Sequence, residues 1–535
     1  MHGRRLFLAV SRAACGHAPA ALRGLVVCAT VALVTAARPA AARPPPPAGR
    51  EARAPRHRPR PSSGRAPLAA APAPKADDRP GPPLRAPSFP VERSTLDNGL
   101  RVVLAPDHSR PLVALALTYD AGSRHEERGQ AGLAALGARL FETAGSANLD
   151  AGERGALVAA RGGSSRAWAE PDALRSLTLL PAGELPLGLW LEAERLRPAR
   201  LSNESFEAAR AFLLAADPAR SGDPFALAEV RLRELAFQTL WPYEHPPQGS
   251  ASSLETMPPS MVRSFYEGHL TPDNATLALV GDFEPDHAMQ LVHRFFDLLP
   301  KGARAPASPV PALPEQSSPR AAVVEDARAA GAGLVYGWAL PPAHGDEHDA
   351  LRVAAAVLAG GDEGRLAQRL VRERGAASEV RASFAGHRGP DLLTLRVRLV
   401  EGQRRGEIEP LIEAELATLG RAGPSAAELE RARAGLEASL YAELGSLEGR
   451  ARRLGEYELF YGDARALLQD ARRLGAVTAE NVRAAVARHL TPLRRTLVEV
   501  RPAADAPPKA APPGPAPAPA APRHGPPRLR PPRRR

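Results

Sequence analysis

Met261-Val262-Arg263-Ser264-Phe265-Tyr266-Glu267-Gly268-His269-Leu270-Thr271-Pro272, with the strand-like run that follows it to Val280, recurs 220 residues later as Asn481-Val482-Arg483 through His489-Leu490-Thr491-Pro492 to Val500. Val262/Val482, Arg263/Arg483, His269/His489, Leu270/Leu490, Thr271/Thr491, Pro272/Pro492, Thr276/Thr496, Leu277/Leu497 and Val280/Val500 coincide. So many identities in one short window exclude chance. Each copy reads as an amphipathic helix ended by Thr-Pro and followed by a β-strand. The shared histidine falls at a helix end, where an imidazole commonly meets the last carbonyls rather than a metal.

The starts of the two halves correspond as well. Residues 100–104 and 112–117 predict strands, a polar loop covers 122–130, and a helix follows over about 131–141. In the second half, 321–324 and 333–338 predict strands, 341–348 a loop and 349–358 a helix. The expected fold class is α+β: two tandem homologous domains, each a mostly antiparallel sheet with helices packed on one face. The domains are placed at 91–300 and 321–502, with a Pro/Ala/Ser linker at 301–320.

Outside this core the composition changes. Residues 43–90 and 503–535 are Pro/Ala/Arg-rich and cannot bury enough apolar surface to offset ordering entropy. Residues 1–87 carry 15 Lys/Arg against 3 Asp/Glu and residues 501–535 carry 8 against 1, so the flanks are +19 and, the whole chain being +11, the middle is −8. The basic pI thus describes the tails, and the acidic body argues against a nucleic-acid enzyme. After Arg23, residues 24–37 form an apolar run of signal-peptide length, too short to span a bilayer, followed by small residues through Ala42. Residues 1–42 read as a signal peptide for a periplasmic or secreted protein with no transmembrane span in the mature chain. Cys15 and Cys28 both lie in that leader, so the mature core has neither disulfide nor thiolate metal site. Val27 before Cys28 argues against a lipid anchor, which wants a small residue there.

Within the core, Leu96-Asp97-Asn98-Gly99-Leu100, the Ala121-Gly122-Ser123-Arg124 loop, Gly129-Gln130-Ala131-Gly132-Leu133-Ala134, Leu270-Thr271-Pro272-Asp273-Asn274, the strand end Val280-Gly281-Asp282, and Gly360-Gly361 with Arg365-Leu366 together resemble the insulinase/pitrilysin peptidases, in particular the short type related to mitochondrial processing peptidase. The resemblance spans nearly the whole core and implies a duplicated fold in which two two-domain subunits enclose a peptide chamber. Active members are zinc endopeptidases whose inverted H-x-x-E-H motif follows directly on the G-x-A matched here by Gly132-Leu133-Ala134. Carried across, the first metal-binding His falls on Ala135, the general-base Glu on Ala138 and the second His on Arg139. Ala offers no lone pair, and Arg places a fixed cation where a divalent ion would sit. A third ligand, a Glu from a later helix, would fall near Ala215 or Ala216. The carbonyl-clamping Arg and Tyr implied for the second half fall at Val371 or Arg372 and at Ser378 or Glu379. Only Arg372 retains the residue type.

One literal metal motif remains: His344-Gly345-Asp346-Glu347-His348 is H-x-x-E-H. Gly345 and the preceding Pro341-Pro342 place it in a loop or at the first turn of a helix, one to two turns upstream of the position matching Ala135. The sequence therefore predicts a chain inactive on its own, without cofactor, that pairs with a zinc-bearing relative to hold peptide or unfolded polypeptide, with no nucleic-acid partner. Two alternatives stand beside it: an active zinc metalloendopeptidase using His344, Glu347 and His348, and a scaffold subunit of an envelope complex.

Overall fold

The strands at the centre of each half alternate large and small residues. In one, Val113, Leu115, Leu117 and Tyr119 face one way and Ala114 and Ala116 the other, and all six are buried. In the second half Leu334, Tyr336, Trp338 and Leu340 alternate with Gly333, Val335, Gly337 and Ala339. A period of two with both faces apolar belongs to strands covered on both sides, and the small face admits a closely packed helix.

The computed structural model describes residues 88–503, apart from 217, 219, 220, 303–309, 314 and 330. The expected signal peptide, nearly all of the two Pro/Ala/Arg-rich flanks and part of the 301–320 linker lie outside the described residues. The first half runs β1 (Glu92–Thr95), β2 (Arg101–Pro106), β3 (Leu112–Tyr119), α1 (Leu133–Thr143), α2 (Glu153–Ala160), β4 (Ser164–Ala169), β5 (Leu174–Pro181), α3 (Leu185–Arg195), α4 (Asn203–Ala215), α5 (Ala226–Ala236), α6 (Trp241–Glu244), α7 (Ala251–Thr256), α8 (Pro259–His269), β6 (Ala275–Gly281) and α9 (Pro285–Phe296). The second runs β7 (Arg320–Asp326), β8 (Gly333–Pro342), α10 (Asp346–Ala359), a π-helical turn (Ala367–Glu373), β9 (Ala377–Phe384), β10 (Pro390–Leu399), α11 (Arg405–Ala422), α12 (Ala426–Leu444), α13 (Leu447–Tyr461), α14 (Asp470–Ala476), α15 (Ala479–His489) and β11 (Thr496–Pro502).

The sheets repeat one topology: β1-β2-β6-β3-β5-β4 in the first half and β7-β11-β8-β10-β9 in the second. Each has one parallel pair, β2 with β6 and β7 with β11, and antiparallel pairs elsewhere. The 220-residue offset persists in space. Helices α8 and α15 begin and end 220 residues apart. Thr276 faces Thr118 across the sheet as Thr496 faces Gly337.

Each half stacks its own helices on one face of its sheet, as expected. The opposite face is covered by the other half. Leu447, Ala451, Leu454 and Tyr457 of α13 pack on Ala114, Ala116, Leu177 and Ala278 of the first sheet. Phe225, Ala228, Leu232 and Ala236 on and beside α5 pack on Val335, Leu392 and Val498 of the second. The exchange is complementary in size at equivalent strand positions. Gly337 lies under Leu232, whose side chain would stand 3.0 Å from an added Cβ, while Thr118 lies under Gly455, with its Oγ1 2.9 Å from an added Cβ there. One crossing places its glycine on the strand and the other on the helix. Each close approach is thereby kept with one large partner instead of two.

A polar seam adds to the exchange. The loop between β9 and β10 reaches the first half, where the Arg388 backbone N–H donates to Asp172 Oδ2 at 2.9 Å and its guanidinium to Asp120 Oδ2 at 3.1 Å. The Gly389 N–H donates to the Tyr243 hydroxyl at 3.0 Å, and that hydroxyl donates to Asp172 Oδ1 at 2.9 Å. Gly389 admits no side chain, since a Cβ would stand 2.3 Å from the Tyr243 oxygen.

Candidate functional site

Helix α1, which by resemblance would carry the metal motif, is held at its N-terminus by a buried carboxylate six residues upstream. Glu126 accepts from the Gly132 N–H at 3.0 Å and the Ala134 N–H at 2.7 Å, and pairs with His245 Nε2 at 2.9 Å. Two otherwise unpaired helix-start donors are thereby satisfied by an anion at the positive end of the helix. Burial pushes the Glu126 carboxyl upward against these contacts. Gly132 takes the left-handed region at φ 98°. The Ala131 carbonyl would stand 2.3 Å from a Cβ on Gly249, so the segment after His245 lies against the chain just before α1. Tyr266 of α8 donates to the Gly137 carbonyl at 2.7 Å. The scaffold around α1 is therefore complete.

The positions that would do the chemistry are filled differently. Ala135 and Ala138 are buried among the apolar core of the first half. Arg139 lies with its guanidinium 4.0 Å from the centre of the Phe212 ring of α4. Ala215 ends α4 and Ala216 follows it. Where the resemblance puts a metal between α1 and α4, the two helices are joined by an arginine on an aromatic face. This set of side chains provides neither a lone pair for a metal nor a base for water.

The literal H-x-x-E-H spreads its side chains in three directions. His344 lies in the loop before α10, packed against Tyr461 and Tyr457 at centroid distances of 4.0 and 5.1 Å. Burial holds its imidazole down at about 4, with Arg473 adding and Asp470 opposing. His348, in the first turn of α10 and buried, pairs through Nε2 with Asp391 Oδ2 at 2.8 Å. Glu347 turns outward to His489 at 2.8 Å and Arg488 at 3.1 Å. Burial alone would raise its carboxyl, but these partners win and hold it below the usual range. Among the described residues no three His, Cys, Asp or Glu side chains gather as a metal ion requires. The helix-end histidine of the first repeat, His269, directs Nδ1 to the Phe265 carbonyl at 3.3 Å.

Arg372 lies half-exposed in the π-helical turn, 3.4 Å from Asp362 and 3.7 Å from Glu363. Ser378 donates to the Arg398 carbonyl at 3.4 Å on β9. Sequence reasoning passed over Glu126 and His245. The signal for the first was an acidic residue just ahead of a glycine-led helix. Nothing local marked the second, because its partner is 119 residues away.

Comparisons with known proteins agree with this architecture. A family model described as the peptidase M16 inactive domain matches residues 257–436. An uncharacterized zinc protease of Mycobacterium bovis is 29% identical over 421 residues, covering 76% of this chain and 93% of the relative. Zinc protease PqqE of Helicobacter pylori is 27% identical over 293 residues, 54% of this chain and 65% of the relative. Among solved structures, a protease from Helicobacter pylori superposes with a TM-score of 0.73 at 22% identity, over 77% of this chain and all of that one. A peptidase M16 inactive domain from Pseudomonas fluorescens gives 0.70 at 20%, over 78% and 98%. The shared duplicated fold, and similarity running through three quarters of the sequence, make this chain a homologue of the insulinase/pitrilysin-type, or M16, zinc peptidases.

Proposed function

We propose that this protein is an exported, non-catalytic M16-type subunit that pairs with a zinc-bearing relative and supplies one wall of a chamber holding extended peptide. The observation that carries the reading is the combination at α1: a complete scaffold of Glu126, His245 and Gly132 around a helix whose ligand and base positions are Ala135, Ala138 and Arg139. Such a helix retains the fold of the site without its chemistry. Peptide holding is supported by β4 and β9, each the last strand of its sheet with one edge unpaired within the sheet. Such an edge offers main-chain donors and acceptors to an added strand. Export is supported by the apolar leader at residues 24–37 and by similarity to the periplasmic protease PqqL of Escherichia coli, whose first half superposes with a TM-score of 0.64. No helix among the described residues is long and apolar enough to cross a membrane. Against a zinc enzyme built on His344, Glu347 and His348 stands the separate partnering of all three side chains. Under this reading Arg372 is a surface ion pair of small energetic value.

The test is co-expression with a zinc-bearing M16 relative from the same organism. The expected result is a stable complex by size-exclusion chromatography, peptide cleavage that depends on the relative's zinc, and less than stoichiometric zinc in this chain. A monomer that leaves the relative's cleavage unchanged would overturn the pairing. One zinc per chain, lost on His348→Ala, would overturn the non-catalytic assignment.

A further inference from the structure

The duplication carries a cavity with it. In the second half a pocket of about 220 Å³ opens between α11 and α15 above β8, with Tyr336 and Trp338 on its floor and Leu416, Val486 and Leu490 on its walls. The two aromatic rings stack at 5.9 Å and 10°. In the first half a wider pocket of about 720 Å³ is lined by Tyr266, Leu270, Thr271 and Pro272, which lie 220 residues before Val486, Leu490, Thr491 and Pro492 of the smaller one. The floors differ. Leu277 faces Leu117 where Leu497 faces Tyr336, so the second half puts a phenol where the first has an aliphatic chain.

That phenol has no partner. Tyr336 is fully buried, and its hydroxyl makes no hydrogen bond in the protein. Arg495, at the rim of the same cavity, engages Glu409 and Glu413 through one terminal nitrogen and leaves Nε unpaired. Buried donors are ordinarily satisfied, so two at one small cavity mark a place for an acceptor. The surrounding charges already pair with one another, which favours a neutral acceptor over an anion. Leu493, 59% exposed, lies one residue beyond the lining Pro492 and extends the apolar surface outward. A cavity of about 150 Å³ takes benzene, so this volume suits one ring with two or three further heavy atoms.

We propose that the cavity floored by Tyr336 and Trp338 is a binding site for a small neutral apolar molecule with one hydrogen-bond acceptor, of the size of an arylacetamide. Tyr336 and Arg495 donate to the acceptor while Trp338, Leu416 and Leu490 enclose the apolar part. The test uses phenylacetamide and toluene as probes, with saturation-transfer NMR and titration of the full chain. Phenylacetamide is expected to bind saturably with a Kd on the order of 1 mM, as suits about ten heavy atoms. Tyr336→Phe should weaken phenylacetamide by about 3- to 10-fold and leave toluene unchanged, since it deletes only the hydroxyl. Ala487→Leu, at an exposed helical position on the rim, should abolish binding of both while leaving the melting temperature unchanged. Absence of saturable binding, or binding indifferent to Ala487→Leu, would overturn the proposal. Equal weakening of both probes by Tyr336→Phe would refute the donor role.

Discussion

Replacing Leu232 by alanine tests whether the two halves are one cooperative unit. Leu232 is fully buried on α5, a helix of the first half, yet its neighbours belong to the second sheet: Val335, Val498 and, directly beneath it, Gly337. Deleting a buried leucine side chain costs about 3–5 kcal/mol, more where neighbours cannot relax into the space. Gly337 has no side chain to move, so the upper part applies, about 4 kcal/mol. With an unfolding entropy of about 2.1 cal/mol/K per residue over roughly 400 residues, the melting temperature should fall by about 5 °C. The informative readout is hydrogen exchange on both sheets. Because α13 of the second half covers the first sheet, β3 and β5 should lose protection together with β8 and β10, although the substitution touches neither of the first pair. If the second sheet loosened while the first kept its protection, the halves would be autonomous and the reciprocal exchange would not couple them. A loss below about 1 kcal/mol would mean that α5 is not seated as described.

Glu126→Ala strips the carboxylate from two α1 donors and from His245, and should cost about 2–4 kcal/mol by denaturant titration; a loss under 1 kcal/mol would deny that Glu126 anchors α1. Stability should also fall in mild acid. His125 is held down at about 3 by burial and by Arg124, and His344 at about 4. The unfolded chain therefore binds protons below about 6.5 that the folded chain refuses, and stability drops as pH falls from there towards 4; His344→Asn should flatten that slope, and an unchanged slope would reject the assignment. Arg139→Ala removes a cation from the half-exposed Phe212 face and should cost no more than about 1 kcal/mol. Introducing Ala135→His, Ala138→Glu and Arg139→His together with a Glu at Ala215 or Ala216 should create zinc binding measurable by metal analysis. Failure of every register in a folded variant would show that the α1–α4 cleft has lost its shape as well as its ligands.

The repeat at 261–280 and 481–500 was legible because a helix, a Thr-Pro stop and a strand leave local marks that do not depend on the rest of the chain. Helix α1 was placed by its glycine-led start, and the blanks at Ala135, Ala138 and Arg139 are plain residue identities. Less was legible where the physics is distant in sequence. Nothing near His245 announces Glu126. The H-x-x-E-H at residues 344–348 reads as a metal motif only so long as its side chains share a face. That condition fails once Asp391, His489 and Tyr461 take one member each.

The sequence by itself determined the duplication, the order of strands and helices within each half, and the missing ligands, since these follow from periodicity, turn residues and the chemistry of single side chains. Tertiary structure alone decided which helix covers which sheet. The alternation of Leu115, Leu117 and Tyr119 with Ala114 and Ala116 shows that a helix approaches closely on the small side. Nothing in that pattern says the helix comes from 330 residues away. Apolar burial is non-directional, so the choice of partner rests on the size match of Gly337 with Leu232 and of Gly455 with Thr118, which exists only when both halves are folded against each other.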